Sequence, residues 1–168
     1  MAISIHQASA PVFIQGLKGL KGVLTKAAAV VEAKGWDPDA LLKARLYPDM
    51  FPLIRQAQIA TDFAKGCCAR LAGAEVPAWD DVETSFAELI ARIDRAIAYV
   101  EGLDPAAFAG AEDRDITLTR RGETSVVKGL VYFQTQAMPN FFFHITTAYA
   151  ILRHNGVEVG KRDFLGVA

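Results

Sequence analysis

One segment near the C-terminal end, residues 139–156, constrains the fold more than any other. It reads PNFFFHITTAYAILRHNG, and on a helix Asn140, His144 and Thr147 share one face while apolar side chains cover most of the rest. A helix that is apolar nearly all round lies inside a bundle rather than at a surface. The segment therefore predicts a helical bundle around this helix, with His144 directed at other protein groups.

A first long helix is predicted between Ser9 and Gly35. Ser9 is a suitable N-cap, Pro11 is tolerated in the first turn, and Gly35 is a typical stop. Its apolar residues recur at steps of three and four, as expected for one face of a bundle helix. These residues are Phe13, Leu17, Leu20, Leu24, Ala27 and Val31.

A second long helix is predicted after a short bridging helix. The bridging helix is led by Asp37 and Pro38 and carries Leu41, Leu42 and Leu46. Asp49 is predicted to cap the long helix, which runs to about Ala72. Gln58 and Asp62 lie beside its core-facing positions, which are Leu53, Ala57, Ala60, Ala64, Cys67 and Leu71.

A third long helix is predicted to follow a capping box formed by Asp80 and Glu83, and to end at Gly102. Its apolar stripe faces the core, and Arg92 is placed on the opposite, outward face with Glu88 and Arg95. The stripe consists of Phe86, Leu89, Ile93, Ala96 or Ile97, and Val100.

The periodicity then changes to strict alternation. Residues 115–120 and 123–127 each alternate, and Arg121 with Gly122 fits a tight turn between them. The pattern predicts a small β-hairpin, too short to form a sheet core of its own, that lies across the bundle.

The last long helix is predicted from about Leu130 to His154. Pro139 lies inside it, so a kink is expected between Thr135 and Pro139. The aromatic run 141–143 is expected in the core. The tail beyond it is predicted to dock on the bundle through Phe164 and Leu165.

Composition and charge narrow the functional classes. The 168 residues are expected to form one domain over 1–168, with 52% apolar residues and a net charge of −1. Neither nucleic acid nor a membrane is expected as a partner, because no basic stripe and no unbroken apolar run of spanning length occurs. Without a recognisable leader, and with adjacent Cys67 and Cys68 expected to be reduced, the protein is expected in the cytoplasm.

Four long helices with a hairpin before the last resemble the DinB-like (YfiT-like) four-helix-bundle superfamily. His144, Arg153 and Gly156 stand at the spacing that superfamily shows in its last helix, and residues 139–144 and 160–166 look like an uncharacterised bacterial branch, a domain of unknown function. The resemblance implies an all-α, DinB-like four-helix bundle with short extra helices and a small hairpin. Nearly the whole chain is covered by it.

The resemblance also implies a candidate pocket. Well-understood members hold a divalent metal with three histidines, one on the second helix and two on the fourth, and some are thiol-dependent transferases or isomerases. Here Asn140 stands at one fourth-helix position and Gln58 near the second-helix position, so His144 is the remaining imidazole. One imidazole and two amides make a weak site for zinc or nickel, although Asp62 would add an oxygen ligand.

Each candidate residue has a structural alternative. His144 is either a ligand or base, or a hydrogen-bonded core residue; Asn140 either joins a site or satisfies a carbonyl freed by the kink. Asp62 is either a site carboxylate or a rim charge near Lys65. The sequence thus leaves open a small-molecule-binding or structural bundle with a degenerate metal site, and a metal-dependent transferase or hydrolase using the His144 pocket.

A homodimer is also expected. The chain has more apolar residues than four helices of these lengths need in their interior, and bundles of this kind commonly pair.

Overall fold

The computed structural model describes residues 3–120 and 122–167, and it has the predicted helical architecture. A 3-10 turn precedes the hairpin, and a π-helical segment, Phe133–Ala137, joins the last two pieces of the final long helix. The all-α bundle with short extra helices and a hairpin before the last long helix is confirmed. In chain order its helices and strands are α1 (Ile5–Lys34), α2 (Asp39–Leu42), α3 (Leu53–Ala72), α4 (Phe86–Glu101), β1 (Asp115–Arg120), β2 (Glu123–Lys128), α5 (Gly129–Tyr132), α6 (Met138–His154) and α7 (Lys161–Leu165).

The four long helices form a closed ring. α1 packs against α4 and α6, α3 packs against α4 and α6, and α1 and α3 also meet across the bundle. The apolar residues predicted to face the core on α1, α3 and α4 are buried, and they form one contiguous cluster. The helical period therefore placed the core correctly, because a buried stripe must recur once per turn.

The start of α1 differs from the prediction. The helix begins at Ile5, one turn and more before Ser9, because Ser4 and Gln7 form a capping box. Ser9 lies inside the helix and its hydroxyl donates to the Ile5 carbonyl oxygen at 2.6 Å. Pro11 is consequently an interior proline. The helix ends as predicted, with Gly35 in the left-handed conformation at φ 62°.

The bridging segment is shorter than predicted. α2 ends at Leu42, so Leu46 lies outside it and is exposed. Asp49 does not cap α3; Pro52 occupies that position, with no side-chain cap. The Gln56 side chain instead donates to the Phe51 carbonyl oxygen at 3.0 Å, which ties the first turn of α3 to the preceding chain.

The start of α4 is also displaced. Ser85 and Glu88, rather than Asp80 and Glu83, form the capping box. Glu83 is unavailable for capping because its carboxylate accepts hydrogen bonds from the buried side chains of Arg92 and Gln58. Both candidate pairs have the same spacing, so the tertiary contact of Glu83 decides between them.

The predicted hairpin is present. β1 and β2 pair antiparallel, with Asp115 opposite Lys128 and Arg120 opposite Glu123. The predicted turn pair includes Arg121, which lies outside the described residues. Ile116 is buried against the bundle, so the hairpin covers the helices as expected.

The last long helix absorbs Pro139 through a change of helical type. The π-helical segment ends two residues before Pro139, within the predicted kink region. A π-bulge accommodates a residue that cannot make the α-helical backbone bond. Of the aromatic run, Phe141 is buried, but Phe143 is 55% exposed, so the core prediction was wrong for it.

The tail docks on α1 through Phe164. A Cβ atom at Gly19 would overlap the Phe164 carbonyl oxygen, so this close approach requires glycine. Phe164 also packs edge-on against Tyr149, with ring centroids 5.7 Å apart. Leu165 remains 43% exposed and is a rim residue rather than a core residue.

Candidate functional site

His144 is a buried, neutral imidazole. Its Nδ1 lies 2.6 Å from Gln56 Oε1, and its ring stacks on Phe63 with centroids 5.9 Å apart. Gln56 uses its amide nitrogen to donate to Phe51, so its oxygen faces the imidazole and His144 Nδ1 carries the proton. Burial, assisted by the positive charge of Arg55, lowers the pKa of His144 to about 4. Its hydrogen-bond partner is therefore Gln56 on α3 rather than Asn140, one turn away on the same helix.

Asn140 serves the backbone of its own helix. Its side-chain amide donates to the Gln136 carbonyl oxygen at 2.6 Å, across the junction between the π segment and α6. This agrees with the alternative in which Asn140 satisfies a carbonyl beside the proline distortion. No hydrogen bond joins Asn140 to His144 within the described ranges.

Gln58 and Asp62 belong to a cluster of charged groups between α3, α4 and their connecting loop. Gln58 donates to Glu83 at 2.9 Å and accepts from Arg55 at 3.3 Å. Asp62 pairs with Arg92 at 3.0 Å and with Lys65 at 2.9 Å. Glu83 and Arg92 thus link Gln58 to Asp62 in one cluster. His144 is not part of that cluster, because its hydrogen-bond partner is Gln56.

Arg92 is the centre of this cluster, and sequence reasoning placed it on the wrong face. It is 4% exposed, and its Nε donates to the Thr61 hydroxyl at 2.8 Å. Burial by itself would lower the pKa of Arg92, but the hydrogen bond with Glu83 and the neighbouring carboxylates raise it. Its guanidinium pairs at 3.0 Å with each of three carboxylates, those of Asp62, Asp81 and Glu83.

The positive and negative charges of the side chains around Arg92 balance each other. Arg55 adds a second guanidinium, bonded to Asp81, and Lys65 a buried ammonium. Trp79 packs against the cluster, with Lys65 Nζ 4.3 Å and Arg95 Cζ 4.2 Å from its ring centroid. The cluster ties the α3–α4 loop to the bundle.

Beside this cluster lies a cleft of about 250 Å³ between α3 and the hairpin. Asp62 and Phe63 form its wall nearest to the cluster and to His144. Arg70 and Tyr132 are in contact there, since Arg70 Nη1 donates to the Tyr132 hydroxyl at 3.2 Å. The remaining lining residues, Leu118 and Thr119, come from β1.

A known protein family and a solved structure resemble this chain. The model of the family described as Domain of unknown function (DUF1993) matches residues 5–165. The chain belongs to this family. A crystal structure of a DinB family member protein from Shewanella denitrificans is 45% identical, with a TM-score of 0.90 over 98% of this chain and 93% of that chain. No curated protein matches the sequence.

The DUF1993 match and the solved structure together confirm the resemblance to the DinB-like superfamily. The chain is a DinB-like domain of unknown function. Within the described residues, no helix is both long and apolar enough to cross a membrane.

The DinB-like metal site can be tested against the side chains that this DUF1993 member has. His144 keeps Nε2 as an acceptor because Gln56 holds its Nδ1–H, but the Asn140 amide is engaged by a backbone carbonyl and Gln58 by Arg55 and Glu83. The nearby carboxylates of Asp62, Asp81 and Glu83 are already paired with the guanidinium groups of Arg55 and Arg92. Across residues 3–120 and 122–167, no three His, Cys, Asp or Glu side chains are grouped to hold a metal. The donor set does not fit a resident divalent ion.

The cysteines offer no alternative chemistry. Both thiols are free and buried. Burial raises the pKa of Cys68 to about 12 and that of Cys67 well above its usual range. Neither is a thiolate at neutral pH, so neither fits the role of a nucleophile.

Proposed function

We propose that the protein binds a small molecule in the cleft between α3 and the hairpin, without a resident divalent metal. The observation that carries the proposal is the set of groups around the cleft: the Asp62 carboxylate, the Arg70 guanidinium, and the hydroxyls of Thr119 and Tyr132. They surround the aromatic wall of Phe63. Ligand sites are typically concave, with apolar walls and a few placed polar groups.

A larger cleft of about 600 Å³ lies between the start of α1, the 3-10 turn and the π segment. Most of its lining is apolar, and its polar groups are those of Ser4, His6, Glu112 and Gln134. Glu112 is exposed to solvent, so its charge is stabilised without a ligand. The α3–hairpin cleft is preferred because it contains a half-buried guanidinium.

The location of binding can be tested with a blocking variant. Thr119 lines the cleft and is exposed, so Thr119→Trp should fill the cleft without disturbing the core. Thr117→Trp is the matched control, because Thr117 is exposed on the same strand and does not line the cleft. A panel of anionic, neutral and cationic fragments is then screened by methyl NMR of labelled leucine, with Leu118 as the reporter.

Fragments that shift the Leu118 methyl signals in the native protein and in Thr117→Trp, and lose this effect in Thr119→Trp, support the proposal. A panel in which no fragment shifts Leu118 at millimolar concentration contradicts it.

The metal-dependent alternative is tested by calorimetric titration of metal-free protein with zinc, nickel and manganese. We expect no sub-micromolar binding, since a tight site needs three or four good ligands. Sub-micromolar binding that disappears in His144→Ala would favour a metal-dependent transferase or hydrolase instead.

We also propose that the protein forms a homodimer through an apolar face of α6. Phe143 and Leu46 are exposed there, and the shallow groove beside them has no charged lining residue. A second copy suits this face, because two uncharged surfaces can pair without leaving a charge unpaired. The other lining residues are Pro139, Phe142, Thr146, Thr147 and Ala150.

Light scattering at micromolar concentration checks the dimer. Phe143→Glu should give a monomer, whereas Val126→Glu, on the exposed hairpin surface, should leave the dimer intact. A native protein that is monomeric under these conditions contradicts the proposal.

A cytoplasmic location belongs to the same proposal. It is supported by the two free, buried cysteines, which are typical of a reducing compartment.

A further inference from the structure

Among the described residues, Arg70 is the cation that lines the cleft without a carboxylate partner. Its side chain is half-buried, and its contacts are with Tyr132: a hydrogen bond of 3.2 Å to the hydroxyl and a guanidinium 5.7 Å from the ring centroid. Within the described part of the chain, no carboxylate lies at ion-pairing distance from it. Placing a cation in a partly dry cleft without an opposite charge is unfavourable, so an anion would be bound with a net gain.

The backbone of α3 makes room for this arrangement. A Cβ atom at Gly66 would lie 2.8 Å from Arg70 Nη1 and 3.7 Å from Val76 Cγ1. Glycine at position 66 thus lets the guanidinium fold back along the helix beside Tyr132.

The carboxylate of Asp62 also lines the cleft and limits the charge that a bound anion can carry. Asp62 is paired with Arg92 and Lys65, so it does not compete for Arg70. Its carboxylate is still 37% exposed, so it disfavours a second negative charge on the ligand. A volume of about 250 Å³ corresponds to roughly eight water-sized volumes of about 30 Å³, so the cleft suits a small ligand.

We infer that the cleft binds a small monocarboxylic acid, with its carboxylate on Arg70 and its apolar body against Phe63 and Leu118. This inference rests on the proposed function and names its ligand class. The guanidinium provides N–H donors in a planar fork that suits a carboxylate, and the Thr119 hydroxyl lies on the same cleft. The aromatic and aliphatic walls suit a compact aromatic or short aliphatic acid.

The test uses three probes of similar size and different charge: benzoate, benzamide and benzylamine. Each is titrated into the native protein, Arg70→Gln, Arg70→Lys and the control Arg153→Gln, whose arginine is exposed at the end of α6. Thermal unfolding of every variant establishes that it is folded, and the Leu118 methyl signals report where the probe binds.

We expect benzoate to bind the native protein and Arg153→Gln equally, and Arg70→Gln roughly tenfold to a hundredfold more weakly, because a charge-assisted hydrogen bond is lost. Arg70→Lys should retain part of the affinity, and benzamide and benzylamine should bind more weakly than benzoate. Equal binding of benzoate and benzamide at Leu118, or benzoate binding unchanged in Arg70→Gln, overturns the inference and leaves the proposed function standing. If none of the probes shifts Leu118 and the wider panel also fails, both are overturned.

Discussion

Arg92, which pairs with Asp62, and Arg70, which lines a cleft with Asp62, differ in how their charge is compensated. Arg92 is buried and pairs with three carboxylates, while Arg70 is half-buried and donates to a tyrosine hydroxyl. A buried cation with matched anions is part of the fold, because removing it strands those anions. A cation without an anion contributes little to folding and is free to bind a ligand. The comparison separates a charge that the fold requires from a charge that we propose binds a ligand.

The largest effect is expected from Arg92→Met. This change removes the cation shared by Asp62, Asp81 and Glu83, and should lower the free energy of unfolding by about 3 to 5 kcal/mol, as for other buried pairs that lose one partner. Urea unfolding measures it. The control is Arg95→Met, since Arg95 stacks on Trp79 but is exposed. A loss below about 1 kcal/mol for Arg92→Met would remove the basis of the comparison.

His144 extends the comparison to a buried group that can lose its charge. Its pKa is lowered from 6.5 to about 4, so between these values the unfolded chain binds a proton that the native state does not. The free energy of unfolding should therefore fall as the pH decreases from about 6.5 to about 4, by about 3 kcal/mol, and level off below.

This pH dependence is measured by urea unfolding of the native protein and of His144→Gln at several pH values. Acidic residues titrate in both proteins, so the difference between the two curves isolates the imidazole. Two parallel curves would show that His144 is not held neutral by burial.

A smaller effect is expected from His144→Ala. The Gln56 side-chain oxygen loses its 2.6 Å partner, and Phe63 loses its stacked ring. The free energy of unfolding should decrease by about 1 to 3 kcal/mol. Thermal unfolding checks this against His154→Ala, an exposed histidine in the last turn of α6. An unchanged melting temperature for His144→Ala would show that the Gln56 contact is not structural.

The smallest effect on stability is expected from Arg70→Gln. Without a carboxylate partner, Arg70 leaves no anion stranded when it is replaced, so the free energy of unfolding should stay within about 0.5 kcal/mol. Urea unfolding beside Arg92→Met makes the comparison direct. A loss above about 1.5 kcal/mol would mean that Arg70 is a structural charge as well.

Much of the fold could be predicted from local pattern. The apolar positions of α1, α3 and α4, the alternation of β1 and β2, the Gly35 stop and the distortion before Pro139 all depend on residues close in sequence. The interaction of Asn140 with a carbonyl near the proline was among the alternatives for the same reason. Such features follow from backbone geometry and from the period of burial.

Helix starts were harder to predict where two capping sequences compete. Ser4 with Gln7 and Ser9 with Pro11 are both reasonable starts, as are Ser85 with Glu88 and Asp80 with Glu83. Capping energies are similar, so a tertiary contact is sufficient to choose between them. Glu83 does not cap the helix because its carboxylate accepts a hydrogen bond from Arg92, which lies 9 positions later.

The candidate site was predicted in part. Asp62 lies on the proposed cleft, and its contact with Lys65 was predicted. Arg92 was assigned to the outer face, and no sequence pattern indicated that Arg70 lines a cleft. On a helical wheel an arginine beside an apolar stripe resembles any surface charge. The loop containing Asp81 and Glu83 covers Arg92, and no period in the sequence encodes the path of that loop.

The sequence by itself determined that this chain is a four-helix bundle with a hairpin, because the spacing of apolar residues specifies which face of each element is buried. Tertiary structure decided which polar groups meet inside it. His144 contacts Gln56, 88 residues away, rather than Asn140 one turn away on the same helix. Consecutive residues are turned by about 100° on a helix, so a small rotation of α3 against α6 changes which side chains face each other. Packing of the whole core fixes that rotation, and local sequence does not.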